Sequence, residues 1–378
     1  PPITKARIID SSGTIKLPRE RFNFSISQLL PSLARHGEAD LLDGRVLPGE
    51  FAHDLPLKAH KDAVGHLQYL VEVRADEQNA YAAVARGDHL IVDSDLYGGS
   101  IRLFRNVSRK NGITFSAVDS YQDDVESFVK EETKAIYIET PTNPMMKVAD
   151  IQALSEIAKS VGALMVVDNT FLTPYFQNPL TLGADIVVHS GTKFLGGHND
   201  TLAGFLVTNN EEVRDRLRFL IKTTGAGLAP FDCWLILRGM KTLGIRMERS
   251  QENAIRIAEW LKTQSIVQKV YYPGLPEHPG YEIMKKQARG FGSMITFQVD
   301  SKEHALQILK QVRMIKFAES LGGVETLITY PTTQTHADVP EEVRLKNGIT
   351  PCTLRLSTGI EDIEDLLGEL SEVFASLQ

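Results

Sequence analysis

In the stretch VVDNTFLTPYFQNPLTLGADIVVHSGTKFLGGHND (166–200), Asp168 closes one apolar run, and Lys193 follows 25 residues later, just past another. Lys193 stands after Ser190, Gly191 and Thr192, small and hydroxyl residues. An amine in that setting can form a Schiff base if something nearby lowers its pKa or holds a carbonyl against it. Two hydroxyls on a turn of small residues suit phosphate oxygens. An aspartate can keep the ring nitrogen of pyridoxal phosphate protonated, which makes that ring an electron sink. Taken singly, Lys193 reads more readily as a solvated surface lysine, and Asp168 as a turn cap. The three parts together are far more specific. The nucleotide-binding P-loop reading fails, because no G-x-x-x-x-G-K-[ST] occurs.

Such residues need strand ends to stand on. From about residue 87 to 210, short apolar runs alternate with helix-like stretches. The runs are HLIVDSD (89–95), TKAIYIET (133–140), ALMVVDNT (163–170), ADIVVHS (184–190) and AGFLVTN (203–209). They are rich in Val and Ile on both faces, as buried strands of a parallel sheet are. VESFVKEE and DIQALSEIAKSVG lie between them with apolar positions at helical spacing. This alternation predicts a layered α/β domain. After Pro230 the texture changes. Residues 231–264 read as one or two long helices. Then KVYYPG, SMITFQVD and TLRLSTG read as strands, and HALQILKQV and IEDIEDLLGELSEVFASL as helices. That predicts a second, smaller α+β domain over about 241–378. Residues 1–60 show no clear period and read as an arm.

Composition sets the class of partner. Lys and Arg number 41 against 48 Asp and Glu, a net charge of −7, with no basic block. Nucleic acid and anionic membranes are therefore poor partners, which leaves small molecules and other protein chains. The two cysteines, Cys233 and Cys352, cannot build a disulfide framework or a four-cysteine zinc site. They read as free thiols in a reducing cytoplasm. Apolar runs such as Ala163–Val167 fall far short of a bilayer span. The first residues, PPITKARIID, hold no apolar core of a signal peptide.

The segment HSGTKFLGGHND resembles the cofactor-lysine motif of the Cys/Met-metabolism family of pyridoxal-phosphate enzymes. Similar family motifs are DSDLYGGSIRLF (93–104), ETPTNPMMKVADI (139–151), FDCWLILRGMKTLGIRME (231–248), AESLGGVETLITYP (318–331), THADVPEEVR (335–344) and LRLSTGIEDIEDLL (354–367). The resemblance is collinear from about 87 to the C-terminus. It implies a fold-type-I α/β enzyme with a large, mostly parallel-sheet domain and a smaller C-terminal α+β domain. The implied division is an arm over 1–55, a cofactor domain over 56–240 and a C-terminal domain over 241–378. It implies that Lys193 carries the cofactor and shuttles protons, that Asp168 pairs with the ring nitrogen, and that Ser190 and Thr192 hold the phosphate. Tyr97 would stack on the ring, and Asn143 would contact the cofactor's phenolic oxygen or the substrate carboxylate. Arg355 would clamp the substrate α-carboxylate, Ser320 would help position it, and Glu319 would bear on which reaction is run. His189, His198 and Asp200 belong to the same motif, so no metal is expected.

Upstream the resemblance stops. The family normally carries a Tyr-x-Arg motif donated to the neighbouring subunit's phosphate, and a Ser-Gly-Met motif at a helix start. Here 43–45 read Asp43-Gly44-Arg45, and 72–76 read Glu72-Val73-Arg74-Ala75-Asp76. Acidic groups beside a phosphate are electrostatically wrong. Either residues 1–86 are divergent and cofactor binding is weakened or rebuilt, or that stretch of sequence is unreliable. The resemblance implies a homotetramer acting on a sulfur amino acid or an acyl-homoserine. Its pattern favours cystathionine γ-synthase, with a cystathionine γ- or β-lyase as the alternative. A cofactor-free homologue used in assembly or regulation is the alternative of another class.

Overall fold

The computed structural model describes residues 69–73 and 85–377. The expected N-terminal arm, with Asp43 to Arg45, lies outside them. A seven-stranded sheet takes the order β1 (Tyr69–Val73), β7 (Gly204–Thr208), β6 (Ile186–Ser190), β5 (Leu164–Asp168), β4 (Thr133–Glu139), β2 (His89–Asp93), β3 (Thr114–Val118). Strands β3, β2, β4, β5 and β6 run parallel. Val166 and Val167 show why the runs are apolar throughout, since they face opposite layers of core. Each such burial stabilises by about 1.5–3 kcal/mol.

Two expectations need correction. AGFLVTN forms β7, but β7 pairs antiparallel with both β6 and β1. It is buried at every position, so its apolar texture carries no sign of direction. VESFVKEE does not make a helix. Val125–Phe128 is a single 3-10 turn, and Val129 is already extended. So short a segment, with only Val125 buried and no side chain capping its start, cannot nucleate more.

The helix Ile151–Ser160 forms as expected. Asp150 caps it by accepting from the Ala153 N–H at 3.0 Å, and Ile151, Leu154 and Ala158 turn inward. The stretch after Pro230 is two helices, Pro230–Met240 and Leu243–Lys262. The second buries Ala254, Ile257, Ala258 and Leu261 against a five-stranded sheet. That sheet has the order β10 (Lys316–Phe317), β11 (Leu327–Thr329), β12 (Thr353–Ser357), β9 (Met294–Val299), β8 (Val267–Tyr271), antiparallel but for β10 and β11. The helix Pro230–Met240 leaves Phe231, Trp234 and Leu237 exposed, with the Phe231 and Trp234 rings stacked at 5.8 Å. Among the described residues no helix is long and apolar enough to cross a membrane.

The turn that carries Lys193 packs against the segment between β10 and β11. Gly322, at φ +77°, lies so close that a Cβ there would sit 2.6 Å from the Phe194 nitrogen. Gly322→Ala therefore combines a strained backbone with a clash against main chain. We expect it to lower unfolding free energy by about 1–3 kcal/mol, the range for overpacking, measured by urea titration. An unchanged midpoint would show that the loop can move aside.

Candidate active site

The carboxyl ends of parallel strands open onto one edge of a sheet, where ligands of α/β folds bind. Two of the strands end there in residues predicted for the site. Asp168 ends β5 and is buried; its Oδ1 accepts from the Thr170 N–H at 2.9 Å, and Oδ2 from the Tyr137 hydroxyl at a long 3.5 Å. Burial pushes its carboxyl above the usual range, and those bonds draw it back only in part. No cation pairs with it among the described residues. Ser190 ends β6 and is tied to the same corner, its N–H donating to Thr170 Oγ1 at 2.8 Å.

Lys193 lies in the turn Gly191–Leu195, which follows β6, and departs there from helical backbone, with φ −94° and ψ −130°. Its Nζ donates to Ser320 Oγ at 3.3 Å. Thr192 serves the turn itself: its Oγ1 accepts from the Ala203 N–H at 3.1 Å.

Arg355, on β12, has no exposure. Nη1 donates to Asn143 Oδ1 at 2.8 Å; Nη2 donates to Glu319 O at 2.8 Å, Ser320 O at 3.2 Å and Thr329 Oγ1 at 2.9 Å. Its buried Nε–H has no partner among the described residues. Burial lowers its pKa to about 10, with the nearby Glu139 and Glu319 carboxylates working against that, so it is charged at neutral pH. The predicted clamp on a carboxylate meets a complication here. Nη2 is already committed to protein oxygens, so a two-pronged grip requires one of those bonds to yield. Glu319 reaches Arg355 through its backbone oxygen, while its side chain is exposed.

Tyr97 is half-buried between β2 and the helix Gly98–Leu103, and its N–H donates to Glu139 Oε2 at 2.9 Å. Hydrogen bonds thus link Lys193, Ser320, Arg355 and Asn143 in one chain. A second link joins Asp168, through Thr170, to Ser190. Sequence reasoning missed Glu139 and His336, although both stood inside quoted motifs. The His336 Nε2 meets the Leu96 carbonyl at 3.2 Å, and burial drives its pKa down to about 4, so the ring is neutral and fixes the approach to Tyr97. His189 is likewise neutral, pushed down to about 4 by burial. No group of three or more candidate metal ligands occurs among the described residues.

This donor set fits pyridoxal phosphate. A buried acid without a cation suits a protonated ring nitrogen, and a lysine stands at the neighbouring strand end. Of the upstream positions that departed from the family pattern, Glu72 and Val73 fall on β1, paired with Phe205 and Gly204; Arg74 to Asp76 and Arg45 lie outside the described residues.

The model of the family described as Cys/Met metabolism PLP-dependent enzyme matches residues 73–375, reaching upstream of the point where motif reading stopped. A cystathionine gamma-lyase of Bacillus subtilis (strain 168) is 48% identical over 292 residues, 77% of each chain. A cystathionine beta-lyase of Lactococcus lactis subsp. cremoris (strain MG1363) is 51% identical over 287 residues, 76% of each. The crystal structure of a cystathionine gamma-lyase from Lactobacillus plantarum, complexed with L-serine, superposes with a TM-score of 0.81 at 41% identity, covering 83% of this chain and 84% of that one. The chain therefore belongs to the Cys/Met-metabolism family: it is an enzyme that acts on C–S bonds with pyridoxal phosphate as cofactor.

Proposed function

We propose that the chain is a cystathionine lyase. The choice of a lyase within the family is supported by the relatives' names, and the geometry that supports an amino-acid enzyme working at the α-carbon is the loop at 319–320. Its carbonyls hold Arg355, and its Ser320 hydroxyl receives the Lys193 amine. One loop thus serves a group suited to an α-carboxylate and a group suited to the α-proton. The lyase names of the two relatives and of the solved structure move the choice away from the γ-synthase that the motifs favoured. The exposed stripe of Phe231, Trp234 and Leu237 supports the expected homotetramer.

The roles follow from the residues. Lys193 would carry the cofactor, Asp168 would face its ring nitrogen, Tyr97 would lie on its ring, and Ser190 and Thr192 would meet its phosphate. Bound pyridoxal phosphate supplies an electron sink for charge developing at the substrate α-carbon. Arg355 and Asn143 orient the amino acid by its carboxylate, with the unpartnered Nε–H as one available donor. Once the substrate amine has displaced it from the cofactor, Lys193 Nζ, beside Ser320, would take the α-proton and, for γ-cleavage, return it further along the substrate. Glu319 bears on the choice between β- and γ-carbon.

Incubation with cystathionine tests the function. A γ-lyase releases cysteine, 2-oxobutanoate and ammonia; a β-lyase releases homocysteine, pyruvate and ammonia. The expected outcome is a keto acid from cystathionine. Formation of cystathionine from O-acetyl- or O-succinyl-homoserine plus cysteine, without cleavage, would return the assignment to the synthase.

Asp168→Asn should leave circular dichroism unchanged, because an amide fills the same space. A neutral amide cannot keep a ring nitrogen protonated, so turnover should fall by about 100-fold or more, near 3 kcal/mol of barrier. Activity within about threefold of the parent would make Asp168 a structural residue. Arg355→Lys keeps a charge and loses the planar fork. Substrate binding should weaken by about 1.5–3 kcal/mol, read from KM, with cofactor content unchanged. If the variant instead melts at a lower temperature while its KM stays put, Arg355 braces β11 and β12 rather than reading substrate.

A further inference from the structure

We propose that Arg246 is a positioning residue for Lys193, a buried clamp that holds the turn carrying the cofactor lysine. This rests on the reading of Lys193 given above. Arg246 lies on the helix Leu243–Lys262 and is buried. Its Nη1 donates to Phe194 O at 2.6 Å. Nη2 donates to Leu195 O at 3.4 Å and Gly239 O at 2.9 Å, and Nε to Thr242 Oγ1 at 3.2 Å. Phe194 and Leu195 are the two residues that follow Lys193.

No carboxylate pairs with this charge among the described residues. The oxygens that solvate it are carbonyls and one hydroxyl. Removing a charge from water without a counter-charge is costly, so those oxygens are held where they are. The turn closes on itself through Gly196 N–H to Gly191 O at 2.9 Å and Gly197 N–H to Lys193 O at 2.7 Å. Arg246 takes the next two carbonyls, those of Phe194 and Leu195. Gly197, at φ +74°, admits the guanidinium: a Cβ there would lie 2.2 Å from Nη1.

The geometry assigns a function beyond packing because the clamp closes on the residues beside the one non-helical backbone position of the turn, Lys193 itself. That position sets the direction in which Nζ leaves the main chain, toward Ser320. A looser clamp frees the lysine to take other directions and loosens Ser190 and Thr192 at the other end of the turn.

Two variants test this as holoenzymes. Arg246→Lys keeps the charge but lacks the fork that serves two carbonyls. Arg246→Ala leaves a site shaped for a guanidinium ion. Borohydride reduction and peptide mapping of the parent holoenzyme come first; label on any lysine other than Lys193 overturns the Lys193 reading and this inference with it. With label on Lys193, we expect pyridoxal phosphate to leave Arg246→Lys at least about tenfold faster, from loss of charge-assisted hydrogen bonds. The absorbance of the lysine-bound cofactor should move toward that of free cofactor, with circular dichroism unchanged. Guanidinium ion at non-denaturing concentration should restore both in Arg246→Ala. Unchanged dissociation and absorbance in a folded Arg246→Lys would overturn the inference alone. So would failure of both variants to fold, which would make Arg246 a purely structural residue.

Discussion

Arg355 carries a charge at a point with no access to water. A buried guanidinium is tolerable only when oxygens surround it. Here they come from three separate places: the Asn143 side chain beyond β4, the carbonyls of Glu319 and Ser320, and the Thr329 hydroxyl on β11. Much of the site's shape follows from that need. The loop carrying Asn143 is closed by Thr142 N–H to Lys147 O at 2.9 Å and secured by Asp95, which accepts from Thr142 and Met145. The 319–320 segment, drawn in by its carbonyls, brings the Ser320 hydroxyl to Lys193. A single charge thereby ties the small sheet to the strand ends of the large one.

Around the same edge, carboxylates are buried under similar terms. Asp93 is pushed up to about 7 and Asp95 to about 6 by loss of water, against bonds from Ser120 and Thr142 that favour the ionised form. Their work is structural. Asp93 Oδ1 accepts from the Asp95 N–H at 2.9 Å, which fixes the segment leading to Tyr97.

Much of this was legible in the residues. The strands β2, β4, β5 and β6 announced themselves because both their faces are core. Lys193 and Asp168 stood in one local motif. Direction was not legible, because β7 is buried at every position whichever way it runs. Strands β10 and β11, of two and three residues, are too short for any period, and β3 alternates poorly because most of its positions are exposed or half-exposed. The supporting residues were hidden for another reason. Glu139, His336 and Arg246 act on partners 42, 240 and 52 residues away, and no spacing rule sees a contact of that length. Thr192 adds a local bond that its motif did not announce, its hydroxyl accepting from the Ala203 N–H.

The bond between Asn143 and Arg355 spans 212 residues, and that between Lys193 and Ser320 spans 127. A ribosome makes the chain from its N-terminus. The strand ends bearing Asp168 and Lys193 therefore exist while Arg355 is still unmade. Loop closure over such lengths adds entropy cost only slowly with length, but the search is long. Maturation has an order built into it: the strands that end in Asp168 and Ser190 are made before the pocket for an amino acid has its charge. Until β12 is synthesised and seated, Asn143 and the carbonyls of 319–320 face a space that only the last part of the chain can fill.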